Sequence, residues 1–470
     1  MKITHLVWLR NDLRWTDNPA LYFASLAAQS TNDGIAVLVT PTPAQWREHN
    51  ESDAKNSLRA GLISHLSKAL AERGIPLHCL DTDSFESAPN RIRDFCLENS
   101  IQHIWFNSDI PVHEQQRDQA VCALLNEHHI ESHIQAADLL VSQPVLSQQG
   151  TPFKVFTPFF NKWVTLLAQQ DITPLPAPET QAPALSWEPL HFDWETKYRD
   201  DLWPADQEIA KQKLWQFCHH KERHYQAKRD YPIEPGTSTL SPYLALGALG
   251  PRQCLEAIFY TCNQEEKRWQ DSIWLKELAW RDFYRQLMGH FPTLSMNRPF
   301  KPETDALTWR QNESEFKAWC EGKTGFPIVD AAMRQLNQTG WMHNRLRMIT
   351  ASFCTKLLFA DWRQGEAYFM SRLIDGEFAA NNGGWQWSAS TGCDAAPYFR
   401  VFNPTRQSET YDKEGDFIRR FVPELAKLDA KSIHNPKPEQ RRRCGYPDPV
   451  IDYKSSRLAA IAAFDALKGK

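Results

Sequence analysis

The chain has 470 residues, of which 42% are hydrophobic and 23% are charged, and its formal net charge is −4. This composition is ordinary for a globular protein and excludes collagen-like, coiled-coil and wholly disordered chains. No apolar run reaches the roughly 18 residues of a membrane-spanning helix, and no secretory leader precedes the first strand-like run, so we expect a cytoplasmic protein without membrane contact.

The first 140 residues alternate short apolar runs with amphipathic stretches. The runs predict five strands: His5–Arg10, Gly34–Thr40, Pro76–Leu80, His103–Asn107 and Glu131–Ala136. The stretches between them predict four helices: Asn18–Ala28, Ser52–Arg73, Ser84–Asn99 and Glu114–His128. This alternation predicts an α/β domain over 1–140, with a doubly wound parallel sheet and helices on both faces. Because no GxGxxG follows the first strand, an ordinary dinucleotide-binding turn is not indicated.

Residues 141–205 are assigned to a long interdomain linker, because six prolines from Pro174 to Pro204 interrupt any periodicity. From residue 206 to residue 470 the pattern predicts an all-α domain. Its predicted helices cover 206–229, 241–260, 271–290, 313–321, 326–338, 341–360 and 363–374.

The distribution of charge along the chain and the spacing of its cysteines and histidines indicate which partners and metals it can bind. Residues 1–150 contain 11 basic and 18 acidic residues, whereas the remainder has a small basic excess. An anionic partner is therefore expected to bind the C-terminal two-thirds of the chain. We expect no metal site, because the ten cysteines form no CxxC pair and His219, His220 and His224 indicate a solvated helix face.

Two helical segments carry residues typical of nucleic-acid or cofactor binding. On the helix predicted over 271–290, one face bears Trp274, Glu277, Trp280 or Arg281, and Tyr284. Such a face can stack a base, bond its edge and neutralise a phosphate, although a Trp-rich amphipathic helix is an equal alternative. In segment 340–348 one face bears Trp341, Asn344, Arg345 and Met348, with Arg347 three residues after Asn344, a set that suits phosphate and base contacts.

Two further segments suit a phosphate and a flat ring. The hydroxyl-rich run 237–241 precedes Pro242 and suits an anion site at a helix N-terminus, although a well-capped helix is the simpler interpretation of that run alone. The stretch 375–387 contains two acids, two Asn, a Gly pair and two Trp, which is not expected of a plain helix core. A flavin ring needs carboxylates, amides and close approach of the backbone. We therefore favour a flavin-binding role for this stretch over a purely structural one.

At these residues the chain closely resembles class I cyclobutane-pyrimidine-dimer DNA photolyases of the cryptochrome/photolyase family. The resemblance runs from HLVWLRNDLRWTDN (5–18) to YPDPVIDYKSSR (446–457). Between them it includes KVFTPF (154–159), TSTLS (237–241), EGKTGFPIVDAAMRQLNQTGWMHNRLRM (321–348) and DGEFAANNGGWQWSASTGCDAAPYFRVFNP (375–404). It implies a light-driven DNA repair enzyme that acts as a monomer.

The resemblance implies FAD, used as FADH−, in the helical domain. The residues that would hold it are Tyr225, Thr237, Ser238, Thr239, Leu240, Ser241, Trp274, Asn344, Arg347, Asp375, Gly376, Glu377 and Asn381. Arg347 would pair with Asp375 beneath the ring, Asp375 and Glu377 would meet the ring edge, and Asn381 would lie opposite flavin N5. The electron-relay residues would be Trp385, Trp362 and Trp309.

Damaged DNA is the partner that the resemblance implies, with a pyrimidine dimer flipped out beside the flavin and split by photoinduced electron transfer. Residues around the dimer would be Glu277, Trp280, Asn344, Met348 and Trp387, and residues on DNA phosphates would be Arg229, Arg281, Arg345 and Arg400. Glu277 would also stabilise negative charge on the dimer.

An antenna chromophore is also implied, and here the chain departs from the pattern. Relatives that bind methenyltetrahydrofolate carry an Asn-Glu pair where this chain has His113-Glu114, and a Cys-Lys pair where it has Ser295-Met296. We expect 5,10-methenyltetrahydrofolate held through His113 and Glu114, with a deazaflavin or no antenna as alternatives.

Two other functions are weighed against dimer repair. Plant cryptochromes, which are photoreceptors, carry Asp where Asn381 stands. Photolyases for (6-4) photoproducts have a histidine pair in the substrate pocket, whereas the run from Trp341 to Arg345 follows the dimer-repair pattern. Both features favour dimer repair.

Overall fold

The computed structural model describes residues 2–137, 139–181, 189–190 and 196–467. It contains two compact units. We call Met1–His220 with Ser238–Ser295 the sheet unit, and Lys221–Thr237 with Met296–Lys470 the helical unit. These units differ from the predicted domain ranges 1–140, 141–205 and 206–470, which remain a prediction.

Five parallel strands form the sheet, in the order β3-β2-β1-β4-β5. Their bounds are β1 Ile3–Leu9, β2 Gly34–Val39, β3 Leu77–Cys79, β4 His103–Asn107 and β5 Glu131–Gln135. The chain starts at the central strand, winds outward through β2 and β3, and returns to wind outward through β4 and β5. The predicted doubly wound parallel sheet is therefore confirmed, and each predicted strand lies within two residues of an observed one.

The sheet unit also holds ten helices among the described residues. Their bounds are α1 Pro19–Thr31, α2 Pro43–Glu48, α3 Asp53–Ala71, α4 Ala88–Glu98, α5 Val112–Glu127, α6 Phe156–Leu167, α7 Gln207–His220, α9 Ser241–Ala245, α10 Pro251–Gln264 and α11 Ile273–His290. Strands β1 and β4 are apolar on both faces, as burial between two helix layers requires. On one face Leu6, Trp8, Ile104 and Phe106 pack with Val121 of α5 in a single core.

Side-chain caps explain where two of the predicted helices begin. The Asn18 side chain accepts from the Leu21 N–H at 3.3 Å, directly before Pro19 opens α1. The Ser52 hydroxyl accepts from the Lys55 N–H at 3.0 Å at the start of α3. Helix α2 was not predicted.

The range assigned to the linker contains helix α6, which sequence patterning missed. Its third residue is Pro158, yet proline is tolerated in a first turn, and α6 buries Phe159 and Trp163. Of the proline-rich part, residues 182–188 and 191–195 lie outside the described residues. The described part lies on the sheet unit, because the Gln181 amide donates to the carbonyl oxygens of Gly74 and Ile35.

The single helix predicted over 241–260 is two helices, α9 and α10. Between them Gly247 has a φ of +66°, and a Cβ there would clash with the backbone of Asn11 and Asp12. Close approach of two backbones therefore breaks the helix at a residue that only glycine satisfies.

Helices make up the helical unit. Their bounds are α8 Tyr225–Lys228, α12 Glu313–Glu321, α13 Pro327–Thr339, α14 Asn344–Ser352, α15 Trp362–Met370, α16 Phe378–Ala389, α17 Pro404–Tyr411, α18 Asp416–Phe421, α19 Pro438–Cys444 and α20 Tyr453–Asp465. The stretch predicted as one helix over 341–360 is α14 followed by a π-helical segment, Phe353–Leu357. One large core joins α12 to α16 and α18, whereas the buried residues of α20 pack in a second, smaller cluster. No helix in the described part of the chain is long and apolar enough to cross a membrane.

Candidate active site

The helical unit brings Arg347 and Asp375 together, as the resemblance implied. One Nη of Arg347 donates to both carboxylate oxygens of Asp375, at 3.0 and 2.7 Å, and its Nε donates to the Met342 carbonyl at 2.8 Å. The backbone N–H of Ile374 donates to the Gly340 carbonyl at 2.7 Å, which fixes the segment carrying Asp375 beside the start of α14. The site thus contains a nearly buried carboxylate with a fixed counter-charge.

Glu377 caps helix α16. Its carboxylate accepts from the N–H groups of Ala379 and Ala380, at 3.1 and 2.8 Å. Residues 378–389 are a regular α-helix, so the interpretation that the stretch 375–387 is unlike a plain helix is wrong beyond Glu377. Gly376, directly before the cap, is buried close to Met370.

Three amide side chains of α16 form a hydrogen-bonded network with Glu366, a residue that the sequence analysis did not single out. The Asn381 amide donates to the backbone carbonyl of Glu366 at 3.1 Å, and the Asn382 amide donates to the Glu366 carboxyl at 2.9 Å. Gln386 donates to the Asn382 carbonyl oxygen at 2.9 Å.

Glu366 has an unusual protonation state for a glutamate. Its burial raises the pKa to about 7, because the hydrogen bond from Asn382 does not offset the lost hydration. The group can therefore hold or release a proton near neutral pH. Nothing in the sequence singles out Glu366, because an isolated glutamate in a predicted helix is usually exposed to solvent.

The three predicted relay tryptophans all lie in the helical unit. Trp385 and Trp362 are buried, and Trp309 is partly buried against Phe359 at a ring-centroid distance of 4.9 Å. A fourth tryptophan, Trp319, was not singled out, yet it meets Trp385 edge to face at 5.9 Å. Sequence alone gives no sign of that contact, because 66 residues separate the two in the chain.

Helices α15 and α16 touch through Gly365. A Cβ at this position would clash with the six-membered ring of Trp385. Glycine here lets the two helices come close enough to hold both Trp385 and the contact between Asn381 and Glu366.

The predicted phosphate-binding arginines of the helical unit have different surroundings. Arg345 pairs with Asp230 at 2.7 Å and lies over the ring of Tyr411. Arg229 lies over the ring of Tyr225, and Arg400 is exposed. Nearby on α14, Asn344 is exposed and Met348 is half-buried. Trp387 on α16 is also half-buried, and Trp309 and Thr237 are only partly covered.

His343, at the start of α14, is a buried capping residue. Its Nδ1 accepts from the Arg345 N–H at 3.1 Å, whereas its Nε2 is buried with no hydrogen-bond partner among the described residues. Burial lowers the pKa of His343 to about 4. The imidazole is therefore neutral at physiological pH.

Helix α11 of the sheet unit carries four of the predicted site residues. Trp274 is buried and meets Phe217 edge to face, and Glu277 is half-buried. Trp280 stacks on Phe156 at 3.7 Å, with 5° between the ring planes. Arg281 is largely but not fully buried, with 15% of its side chain exposed, and lies 3.8 Å from Asp282.

The hydroxyl-rich run lies at the junction of the two units in the chain, with Thr237 in one and Ser238 to Ser241 in the other. Ser241 is the first residue of α9, and Leu240 is the N-cap residue without a side-chain cap, so the well-capped helix that this run alone suggests is not observed. Thr239 has a φ of +53°, a strained conformation for a β-branched residue. Its carbonyl accepts from the Trp203 indole at 3.1 Å.

Of the expected antenna residues, Glu114 lines an open cleft of the sheet unit with about 520 Å³ of empty volume, and His113 contacts His49, another residue of its lining. The rings of His49 and His113 stack, with their nitrogens 3.2 Å apart, and Glu114 lies 3.9 Å from His49. Burial, followed by the negative charge of Asp109, raises the pKa of Glu114 to about 7. His49 was not singled out from the sequence.

Comparisons with known proteins show which family the chain resembles. Residues 274–466 match the FAD binding domain of DNA photolyase, and residues 5–179 match the DNA photolyase family. The chain is 43% identical to the deoxyribodipyrimidine photo-lyase of Escherichia coli, over 99% of the chain and 100% of that protein. The chain belongs to the photolyase/cryptochrome family. The photo-lyase of Vibrio cholerae is also 43% identical, with the same shares covered.

Solved structures of the family have the same fold. A class III photolyase from Agrobacterium tumefaciens superposes with a TM-score of 0.85 at 33% identity, covering 100% of this chain and 98% of that one. An archaeal photolyase from Sulfolobus tokodaii, whose structure has two FAD molecules, gives 0.80 at 29%, covering 98% and 100%. The predicted combination of an N-terminal α/β domain and a helical FAD-binding domain is confirmed.

The residues of the helical unit fit the FAD of this photolyase family. Asp375 and Glu377 supply acceptors, Arg347 supplies a charge, and Asn381 supplies an amide. The indole N–H of Trp385 is buried without a hydrogen-bond partner among the described residues, as a side chain facing a bound group would be.

Proposed function

We propose that this protein is a light-dependent DNA repair enzyme that splits cyclobutane pyrimidine dimers. Full-length identity of 43% to proteins named deoxyribodipyrimidine photo-lyase is the observation that carries this proposal. Asn381 supports it, because the resemblance gives photoreceptors of the plant cryptochrome type an Asp at that position. We also propose that the protein acts as a cytoplasmic monomer.

FAD, when bound and reduced, supplies light absorption and a transferable electron. We propose that Arg347 and Asp375 orient the ring and that Glu377 contributes an acceptor at its edge. Asn381, whose amide donates to the Glu366 backbone carbonyl, would offer its side-chain oxygen to the ring nitrogen N5, and Glu366 would hold a proton in the same network. The remaining holding residues are those implied by the resemblance: Tyr225, Thr237, Ser238, Thr239, Leu240, Ser241, Trp274, Asn344 and Gly376.

Trp385, Trp362 and Trp309 are proposed to carry electrons through the helical unit. Trp385 and Trp362 are both buried and Trp309 is partly exposed, which suits a path from an interior cofactor to the surface. Trp319 is a second ring neighbour of Trp385 and offers a branch of that path.

For the DNA, we propose that the lesion leaves the duplex, because a stacked dimer cannot reach an interior cofactor and a damaged pair costs less to unstack. Residues proposed to surround it are Glu277, Trp280, Asn344, Met348 and Trp387. Residues proposed to bind phosphates are Arg229, Arg281, Arg345 and Arg400, with Arg345 exchanging its contact with Asp230 for a phosphate. Glu277 would stabilise negative charge on the dimer.

The cleft with His113 and Glu114 is the proposed antenna site, and methenyltetrahydrofolate is its proposed occupant. A Glu114 carboxyl that is partly protonated near neutral pH can donate to a ring nitrogen or accept from a ring N–H. Extraction of the purified protein followed by absorption and mass spectrometry would identify a folate; a deazaflavin or no second chromophore would overturn this assignment and leave the repair proposal intact.

The repair proposal is tested with reduced protein and oligo-dT containing cyclobutane dimers. We expect a rise in thymine absorbance near 260 nm under blue light and no rise in darkness. A matched Glu277→Ala variant should keep its FAD and repair with a lower quantum yield. If FAD binds and is photoreducible but absorbance does not rise, a photoreceptor function replaces the proposal.

A further inference from the structure

A cluster of two histidines and a glutamate lies toward the amino ends of β4 and β5. The proposed antenna cleft lies at the opposite, carboxyl end of the sheet. Strands β4 and β5 are parallel, with His103 opposite Glu131 and Trp105 opposite His133. Alternate residues share a face, so His103, Glu131 and His133 project from the same side of the sheet. Neither the family resemblance nor the proposed repair reaction uses these residues.

The three ligand atoms form a compact triangle. The Nδ1 of His103 and the Nε2 of His133 are 3.3 Å apart, and one carboxylate oxygen of Glu131 lies 3.4 Å from the first and 3.7 Å from the second. A four-coordinate zinc ion with bonds of about 2.0–2.1 Å separates its ligand atoms by roughly 3.4 Å. The three edges match that geometry without a change of backbone.

Neighbouring rings hold both imidazoles in place. His5 stacks on His103 at 4.6 Å, and Trp105 stacks on His133 at 3.9 Å with 16° between the planes. The Trp105 indole N–H donates to the Nδ1 of His5 at 3.1 Å, which links the two supporting rings. The two imidazoles are therefore held in place before a metal arrives, which lowers the entropic cost of binding.

We propose that His103, Glu131 and His133 bind one divalent transition-metal ion of the zinc class. The imidazole that donates the N–H between the two rings changes tautomer, its proton moving through solvent to its other ring nitrogen, so that both neutral rings offer a lone pair to the ion. The side chains are 28%, 69% and 29% exposed in that order, so water can fill the fourth position. Because β5 is an edge strand of the sheet, the bound ion ties that edge to β4.

The test is a titration of the holoenzyme, in the dark with oxidised flavin, first with Zn²⁺ by calorimetry and then with Co²⁺ by absorption. We expect one Zn²⁺ per chain, the visible bands of four-coordinate Co²⁺, and a higher melting temperature with Zn²⁺. Glu131 is exposed, so Glu131→Gln keeps the fold and should lose at least tenfold in affinity; His133→Gln should remove the Co²⁺ bands.

His128→Gln is the matched control, because His128 is an exposed histidine in the same unit that lies outside the cluster. It should bind Zn²⁺ as the unaltered protein does. The proposal is overturned if the unaltered protein binds no stoichiometric Zn²⁺. It is equally overturned if Glu131→Gln and His133→Gln retain full affinity, which would place the ion elsewhere, for example at His219, His220 and His224.

Discussion

Two buried glutamates, one in the cleft of the sheet unit and one between helices of the helical unit, have opposite protonation behaviour. Glu51 lies 2.6 Å from Arg59 and 2.9 Å from Lys55. Burial alone would raise the pKa of Glu51, but these two cations outweigh it and lower the pKa to about 2. Glu366 has amide partners instead, and its pKa rises to about 7.

The comparison shows that partners, rather than depth, decide the charge of a buried carboxyl group. Ion pairs line the cleft, where they can recognise a polar ring. The contact between α15 and α16 is built from amides, indoles and one protonatable carboxyl group, so it adds little fixed charge beside the proposed electron path. Five variants, in four comparisons, test the two regions in order of decreasing expected effect.

Replacing Glu51 by Ala removes the counter-charge of two largely buried cations. Breaking a buried ion pair in this way costs about 4 kcal/mol in the free energy of unfolding, which denaturant unfolding of the variant would measure. Glu98→Ala is the control, since Glu98 is exposed at the end of α4, and it should change stability by less than about 0.5 kcal/mol. Equal losses in both variants would contradict the ion-pair account.

Glu366→Gln tests the helical unit, where the sign of the effect depends on pH. Because the pKa of Glu366 is raised from 4.5 to about 7, its contribution to stability is complete below pH 4.5. That contribution falls as pH rises to 7 and stays constant above it. Gln cannot ionise, so the variant should gain about 3 kcal/mol relative to the parent between pH 4.5 and pH 7.5.

Urea unfolding at several pH values would measure that gain. Glu409→Gln, at an exposed glutamate of α17, serves as the control and should show no pH-dependent difference. A stability difference for Glu366→Gln that is independent of pH would show that Glu366 is charged in the folded protein.

Gly365→Ala and Gly384→Ala should have opposite effects. The first forces a methyl group against Trp385 and should cost about 2 kcal/mol, because an overpacked core must shift. At Gly384, in α16, a Cβ meets nothing within 4 Å, so alanine should add about 0.5–1 kcal/mol through helix propensity. Thermal unfolding of both variants measures this, and a stabilising Gly365→Ala would contradict the close approach of α15 and α16.

Arg347→Lys should have a smaller effect than Gly365→Ala. Lysine keeps the charge but has only one nitrogen, so it cannot bond the Asp375 carboxylate while a second nitrogen donates to the Met342 carbonyl. We expect roughly tenfold weaker FAD retention, about 1.4 kcal/mol, measured as flavin per chain after dialysis. Arg372→Ala, at an exposed arginine of the same unit, should retain FAD fully. If Arg347→Lys retained FAD as the parent does, the pairing of Arg347 with Asp375 would not contribute to flavin binding.

Patterning along the chain predicted the elements whose signals are local. Strands β1, β2 and β4 are largely apolar runs between turn residues, and helices α12 and α13 were placed within a residue at each end because their periodicity is strong. Helix α6 was missed since a proline in its first turn hides the pattern, and the break between α9 and α10 was missed since it depends on backbone approach to Asn11.

Contacts between distant residues were beyond sequence patterning. The pairing of Arg347 with Asp375 was expected only through the family resemblance, because nothing in a 28-residue separation implies it. Glu366 reaches Asn381 and Asn382 only because α15 packs on α16 through a glycine. The triangle of His103, Glu131 and His133 requires the register of β4 and β5.

The central claim is that this chain repairs cyclobutane dimers with light. The most direct measurement exposes the reduced holoenzyme to blue light with three oligonucleotides, carrying one cyclobutane dimer, one (6-4) photoproduct or no lesion, and separates the products by chromatography. The account predicts intact pyrimidines from the cyclobutane dimer alone, and none in darkness. Repair of the (6-4) product instead, or of neither lesion by a protein with bound and photoreducible FAD, would contradict it.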